Sequence, residues 1–263
     1  MKFKDSSLQE QFDEIGFIKV PILNLDEVSE IKQFVINNTP LVAMTNHYGF
    51  TAGVWMSEKE IKTNLDSKIR GMVESKLLGI IDDFKSLTYS VIGKGIGENS
   101  ELSLHQDWSV IDEEKGYSIS LWIPLSDSNF ENGAIHFLEG SHKKLPGIRC
   151  GSISHEYGDS DKIINQMQCV DVKAGDALIF NSRILHYTPN NYSKEIRFAV
   201  ISCIVPSDAE IVQYYKVSDS KLEVYKMEDG FYNEYDNFLE QIDQKPKGEK
   251  IGEVDYVPFN TFL

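Results

Sequence analysis

Cysteine is scarce in this chain of 263 residues: Cys150, Cys169 and Cys203 stand far apart, and no CxxC pair occurs. An odd, widely spaced set argues against a secreted disulfide framework and fits reduced thiols. Basic residues are the minority, 26 against 41 acidic, for a net charge of −15. That balance opposes general binding to phosphate backbones and anionic lipid surfaces, so nucleic acid is excluded as an expected partner. No apolar run is long enough to cross a bilayer, and the opening MKFKDSSLQEQFDEIG has lysine but no apolar h-region. The expectation is a cytoplasmic protein with no membrane partner.

What is present suffices for a full core. A hydrophobic fraction of 41% is ordinary for a globular chain, and 263 residues need no staple to fold. One domain over 1–263 is expected, with a mainly helical part at 1–86, a jelly-roll core at 87–205 and an extension at 206–263 that packs on that core. Asn24 and Glu27 have the spacing of a capping box, followed by Val28, Ile31 and Phe34 at helical intervals. A second amphipathic helix is predicted over 66–85 from the stripe Ile69, Met72, Val73, Leu77, Ile80, Ile81 and Phe84.

From residue 87 the pattern changes to short strand-like segments, 87–92, 102–108, 117–125, 134–138, 177–180 and 196–205, separated by turn signals such as Asn132-Gly133 and Gly175-Asp176. Many strands without interleaved helices predict a mainly β fold with flanking helices, of jelly-roll type. After Pro206 the expectation is helix or irregular structure crossing the outside of the barrel. The acidic stretch 223–240 contains tyrosine and phenylalanine, which implies packing rather than a docking tail.

The chemistry centres on LSLHQDW, where His105 and Asp107 are two apart and share a face if the strand is regular. His186, in ILHYTP, supplies a second imidazole. Two histidines and one carboxylate on one face of an octahedral ion leave room for a bidentate co-substrate and dioxygen. An HxD alone is commonplace, a His satisfied by its own neighbour. Its context lifts it: Thr188 lies two positions after His186 and Arg197 eleven after, on an alternating strand with Ala199 and Ile201. A buried guanidinium fork is what the distal carboxylate of 2-oxoglutarate requires, with Thr188 as a further donor.

These segments resemble the phytanoyl-CoA dioxygenase-like family of Fe(II)/2-oxoglutarate oxygenases. FDEIGFIKVPILNLDEVSEI is similar to the family's N-terminal segment, LHQDW to its metal motif and NGAIHFLEGSHK to its NG…PGSH motif, with Glu139 in place of the usual proline. The resemblance implies a cupin-like double-stranded β-helix, Fe(II) on His105, Asp107 and His186, and 2-oxoglutarate on Thr188 and Arg197. It also implies that Trp122, and more loosely Tyr89, line the co-substrate pocket, and that Gln106 lies near substrate, as Trp108 beside the metal ligands would. The reaction implied is hydroxylation of a small molecule, consuming O2 and releasing succinate and CO2. Asp107 favours it over halogenation, because related halogenases carry a small residue there.

Other candidates have plainer readings. His136, His142 and His155 are read as structural or solvated, and His47 with Tyr48 is placed in a loop between helices that could border the substrate entrance, though nothing local requires it. Gly93-Lys94-Gly95-Ile96-Gly97 lacks the context of a phosphate loop and is read as a flexible hairpin or lid. Lys143 and Lys144 are read as surface charge. Two other functions fit the His/Asp/His set: a cupin-like metalloenzyme that does not use 2-oxoglutarate, and a non-catalytic metal-binding jelly roll.

Overall fold

The computed structural model describes residues 1–145, 147–153, 157, 159–234 and 244–256. Its centre is an antiparallel six-stranded sheet with spatial order Phe17–Pro21, Asp176–Asn181, Ile119–Pro124, Arg197–Pro206, Phe84–Lys94 and Phe50–Ala52. A four-stranded sheet, ordered Leu102–His105, His186–Thr188, His136–Phe137 and Gln168–Cys169, forms the second layer. Trp122, Leu178, Phe180 and Ala199 of the large sheet pack with Ile135 and Phe137 of the small one, closing the interior between them. The layers form a mainly β, jelly-roll core, and its sheets do not close into a continuous barrel.

The outer face of the large sheet is covered by helices. Asn24 accepts from the Glu27 amide while Glu27 accepts from the Asn24 amide, so the capping box starts the helix Leu25–Asn38 where the sequence predicts it. Val28, Ile31 and Val35 of that helix, and Leu65, Ile69, Val73 and Leu77 of the helix Lys59–Leu77, are buried against Ile18, Val91, Ile179 and Val200 of the sheet. The second helix ends eight residues before the predicted boundary. Its apolar spacing runs on through Ile80, Ile81 and Phe84, but the chain turns at Leu78-Gly79 and those residues lie in a turn and two strands.

Beside the helices of 1–86, Phe17–Pro21 and Phe50–Ala52 form the edges of the large sheet. One more reading is corrected. The segment after Pro206 is an antiparallel three-stranded sheet, Val212–Ser218, Lys221–Lys226 and Glu249–Asp255, with a short helix at Phe231–Glu234. It packs on the core through Ile211, Tyr225, Met227 and Phe231 against Leu87, Val110, Ile111 and Val205. Of the acidic stretch, Glu223 is buried and bound by Lys245, Lys250 and Tyr225, while 235–240 lies outside the described residues.

The capping box yields a quantitative expectation. Asn24→Ala removes the acceptor for the Glu27 amide and lowers unfolding stability by about 1 kcal/mol, measured by urea denaturation; an unchanged midpoint would show that the cap contributes nothing.

Candidate functional site

His105 ends the strand Leu102–His105, and His186 begins the strand His186–Thr188 directly opposite it in the antiparallel register. The two rings lie 4.0 Å apart between centroids. Each imidazole is oriented by its own backbone: His105 Nδ1 lies 2.7 Å from the Ser103 carbonyl and His186 Nδ1 lies 3.0 Å from the Ile184 carbonyl. A proton on Nδ1 satisfies those carbonyls and leaves each Nε2 as the lone-pair donor. Burial, then the neighbouring His186, pushes the pKa of His105 down to about 4, so that ring is neutral at neutral pH.

Asp107 arrives differently from the sequence expectation. The strand stops at His105, so Asp107 is carried not by strand alternation but by the irregular chain that follows. Two contacts, each backed by a further one, hold it. Ser120 donates its hydroxyl to Asp107 Oδ2, and Ser182 Oγ lies 3.0 Å from Ser120 Oγ. Arg149, fully buried, donates from Nε to the Asp107 carbonyl at 2.8 Å. Its guanidinium is clamped by Glu113 at 2.5 and 2.7 Å. Asp107 Oδ1 is thereby presented 3.9 Å from His105 Nε2 and 3.8 Å from His186 Nε2. One ion at bond lengths of about 2.1 Å can bridge such gaps. Among the described residues these three are the only His, Cys, Asp or Glu set grouped closely enough to hold a metal.

The triad borders a cavity of about 610 Å³ whose wall also includes Trp122, Thr188, Arg197 and Ile201. Arg197 is buried, and among the described residues it makes a single bond, from Nη1 to the Gly133 carbonyl, and its Nε has no partner. Burial pushes its pKa down to about 9. Trp122 Nε1, Thr188 Oγ1 and Ser202 Oγ are likewise buried and unpartnered, and the guanidinium carbon lies 5.1 Å from the Trp122 ring. Each such orphan costs about 1–3 kcal/mol, so the cluster is built to receive an acceptor. Gly133 is required where it stands: its φ is +74°, and a Cβ there would come within 2.5 Å of the Pro189 carbonyl.

Several predicted residues sit elsewhere. Tyr89 is a correction: it faces the helices, donating to Glu74 at 2.6 Å beneath Arg70, while its neighbour Thr88 faces the cavity. Gln106 borders the cavity, but its amide donates to the Arg183 carbonyl and accepts from Tyr157, so it is held by the protein itself. Trp108 does line the cavity. His136 and His142 bond the Ala134 and Asp13 carbonyls, His47 meets Tyr48 edge to face, and Lys143 pairs with Glu14. His155 lies outside the described residues. The Gly93–Gly97 stretch is tied down, not a loose lid. Lys94 is buried, donating to the Ser100, Thr188 and Pro189 carbonyls, and the Gly95 and Gly97 amides donate to Gly49 and Asn191. Burial and the charge of Arg197 push the Lys94 pKa down to about 6.

With the geometry in hand, known proteins can be set beside it. The family model for phytanoyl-CoA dioxygenase (PhyH) matches residues 50–199, more than half the chain. A phytanoyl-CoA dioxygenase domain-containing protein 1 homolog of Dictyostelium discoideum is 26% identical over 153 residues, covering 54% of this chain and 50% of its own. A phytanoyl-CoA dioxygenase of Arabidopsis thaliana is 29% identical over 126 residues, covering 44% and 43%. The chain spans about half the length of these relatives. In fold it is similar to the epimerase SnoN, solved with Fe3+, alpha ketoglutarate and nogalamycin RO, at a TM-score of 0.53 and 19% identity over 78% of this chain and 85% of that one. The architecture is that of the jelly-roll non-haem iron, 2-oxoglutarate-dependent oxygenases. Within that class, the chain belongs to the phytanoyl-CoA dioxygenase (PhyH) family.

Two expectations follow from the support around Asp107. Ser120→Ala frees the carboxylate and lowers Fe(II) affinity by roughly tenfold or more in chelator competition; undiminished affinity would make the Ser120 bond incidental. Arg149→Met leaves Glu113 with the longer Arg183 contact at 3.7 Å and destabilises the fold by about 3–5 kcal/mol, and adding Glu113→Leu recovers most of that loss in urea titrations.

Proposed function

We propose that the protein is an Fe(II)- and 2-oxoglutarate-dependent dioxygenase that hydroxylates an unactivated C–H bond of a small molecule, consuming O2 and releasing succinate and CO2. The observation that carries this reading is the adjacency, in one cavity, of a His/Asp/His triad and a buried cluster of unpartnered donors around Arg197. The donor set fits: two imidazole nitrogens and one carboxylate oxygen suit Fe(II), and among the described residues no carboxylate pairs with the buried guanidinium, a role a dicarboxylate would fill.

His105 and His186 would offer Nε2, and Asp107 Oδ1, to one face of the ion. Bound there with its co-substrate, iron supplies oxidation of a C–H bond by dioxygen, chemistry no side chain can perform. The residues of the chain position and exclude. Arg197 would fix the distal carboxylate of 2-oxoglutarate, Thr188 would donate to it, and Trp122 would wall the site beneath the guanidinium. Ser120 keeps Asp107 Oδ2 engaged so that Oδ1 alone turns to the metal. The apolar walls keep the reacting carbon in a water-poor space, which strengthens the ionic contacts at the floor.

Anaerobic reconstitution with Fe(II) and 2-oxoglutarate, followed by oxygen and a metabolite library, tests the reading by succinate formation. Substrate-dependent succinate is the expected result, and 2-oxoglutarate that binds no better than citrate and is never consumed would overturn it. Asp107→Ala abolishes turnover and impairs iron retention. Arg197→Ala raises the KM for 2-oxoglutarate by roughly 10- to 100-fold, the worth of charge-assisted hydrogen bonds of about 1.5–3 kcal/mol; an unchanged KM would remove Arg197 from the co-substrate site.

A further inference from the structure

The cavity continues past the triad into a wall of a different character. Phe50, Val54 and Trp55 come from the edge strand and the 3-10 turn after it, Trp108 and Val110 from the chain just beyond Asp107, and Tyr232 from the short C-terminal helix. Phe50 and Trp55 meet edge to face at 5.8 Å, and Val54, Trp55, Trp108 and Tyr232 pack on the cluster that joins the core to the C-terminal sheet. The helix carrying Tyr232 is anchored by Thr88 to Asn233 at 3.1 Å and by the Lys59–Glu234 ion pair.

Charge is as informative as shape. Of all the lysines and arginines in the chain, one, Arg197, lines the cavity, and it lies at the floor beside Thr188 and Trp122. Around the Tyr232 helix, Lys59 is paired with Glu234 and Lys85 with Asp229, while Glu101 lies on the cavity wall itself.

Coenzyme A presents a pyrophosphate and a further phosphate, which need several donors or cations at the entrance to replace lost hydration. A total volume of about 610 Å³, shared with a co-substrate, suits one drug-sized molecule. Resting on the oxygenase reading of the same site, we propose that the substrate is a free, uncharged and largely apolar molecule seated against Phe50, Trp55, Trp108 and Tyr232, and not a coenzyme A thioester.

The test is a fluorescence titration of the full chain with N-phenyl-1-naphthylamine, an uncharged apolar probe, displaced in turn by methyl decanoate, decanoyl-coenzyme A and free coenzyme A. Saturable probe binding is expected, with methyl decanoate displacing at least tenfold better than decanoyl-coenzyme A and free coenzyme A not displacing at all. Trp55→Ser and Tyr232→Ser each weaken the probe fivefold or more, and Trp55→Phe and Tyr232→Phe restore it. Decanoyl-coenzyme A binding as well as or better than the methyl ester, displacement by free coenzyme A, absence of saturable probe binding, or serine variants that bind unchanged would each overturn the proposal. The visible absorption band of Fe(II) with 2-oxoglutarate, recorded anaerobically on the same preparation, reports the underlying oxygenase reading separately. Loss of that band with probe selectivity intact refutes the iron and co-substrate assignment and leaves the pocket's preference standing.

Discussion

The register between two short strands governs the rest of the site. His105 faces His186 across an antiparallel pair, and side chains on a strand alternate faces with period two, so a slip of one residue would send one imidazole out of the cavity. The pairing is shielded from slippage by what flanks it. Phe137 pairs with His186 on the other side, and Lys94 ties the Thr188 and Pro189 carbonyls to the loop at Ser100. Asp107, outside the strand, takes its position from the buried Arg149–Glu113 pair and from Ser120. Removing any one of these supports leaves the three ligand residues in the sequence but not in the same place.

A second constraint acts at the floor of the cavity. Arg197 is held in an apolar enclosure by one carbonyl, next to the unpartnered Thr188 and Trp122, an arrangement that is unfavourable until an anion arrives. Stability withheld there is available to binding. The near wall offers the unpaired donors around Arg197, while the far wall of Trp55, Trp108 and Tyr232 is aromatic. One cavity therefore holds two halves of opposite chemistry, with the triad at their boundary.

Much of this was legible from spacing. The capping box at Asn24 and the apolar stripe of the Lys59–Leu77 helix rest on local spacing, which sequence preserves, and the triad with Thr188 and Arg197 was readable from short motifs and the family resemblance. The errors have physical causes. Ile80, Ile81 and Phe84 keep helical intervals by coincidence after the chain has turned, and Tyr89 rested only on a loose spacing within the family resemblance, where an offset of one residue on a strand reverses the face. Arg149, Glu113 and Ser120 escaped notice because their contacts to Asp107 and each other join residues 13 to 42 positions apart, one of them through a backbone carbonyl. The C-terminal strands hid behind Glu223, a buried carboxylate that in sequence resembles solvated charge.

The most direct measurement is a crystal structure of the chain grown anaerobically with Fe(II) and 2-oxoglutarate. The account predicts one ion bonded to His105 Nε2, His186 Nε2 and Asp107, with the distal carboxylate of 2-oxoglutarate on Arg197 and Thr188. Iron bound elsewhere, or a co-substrate whose distal carboxylate leaves Arg197 unpaired, would contradict it.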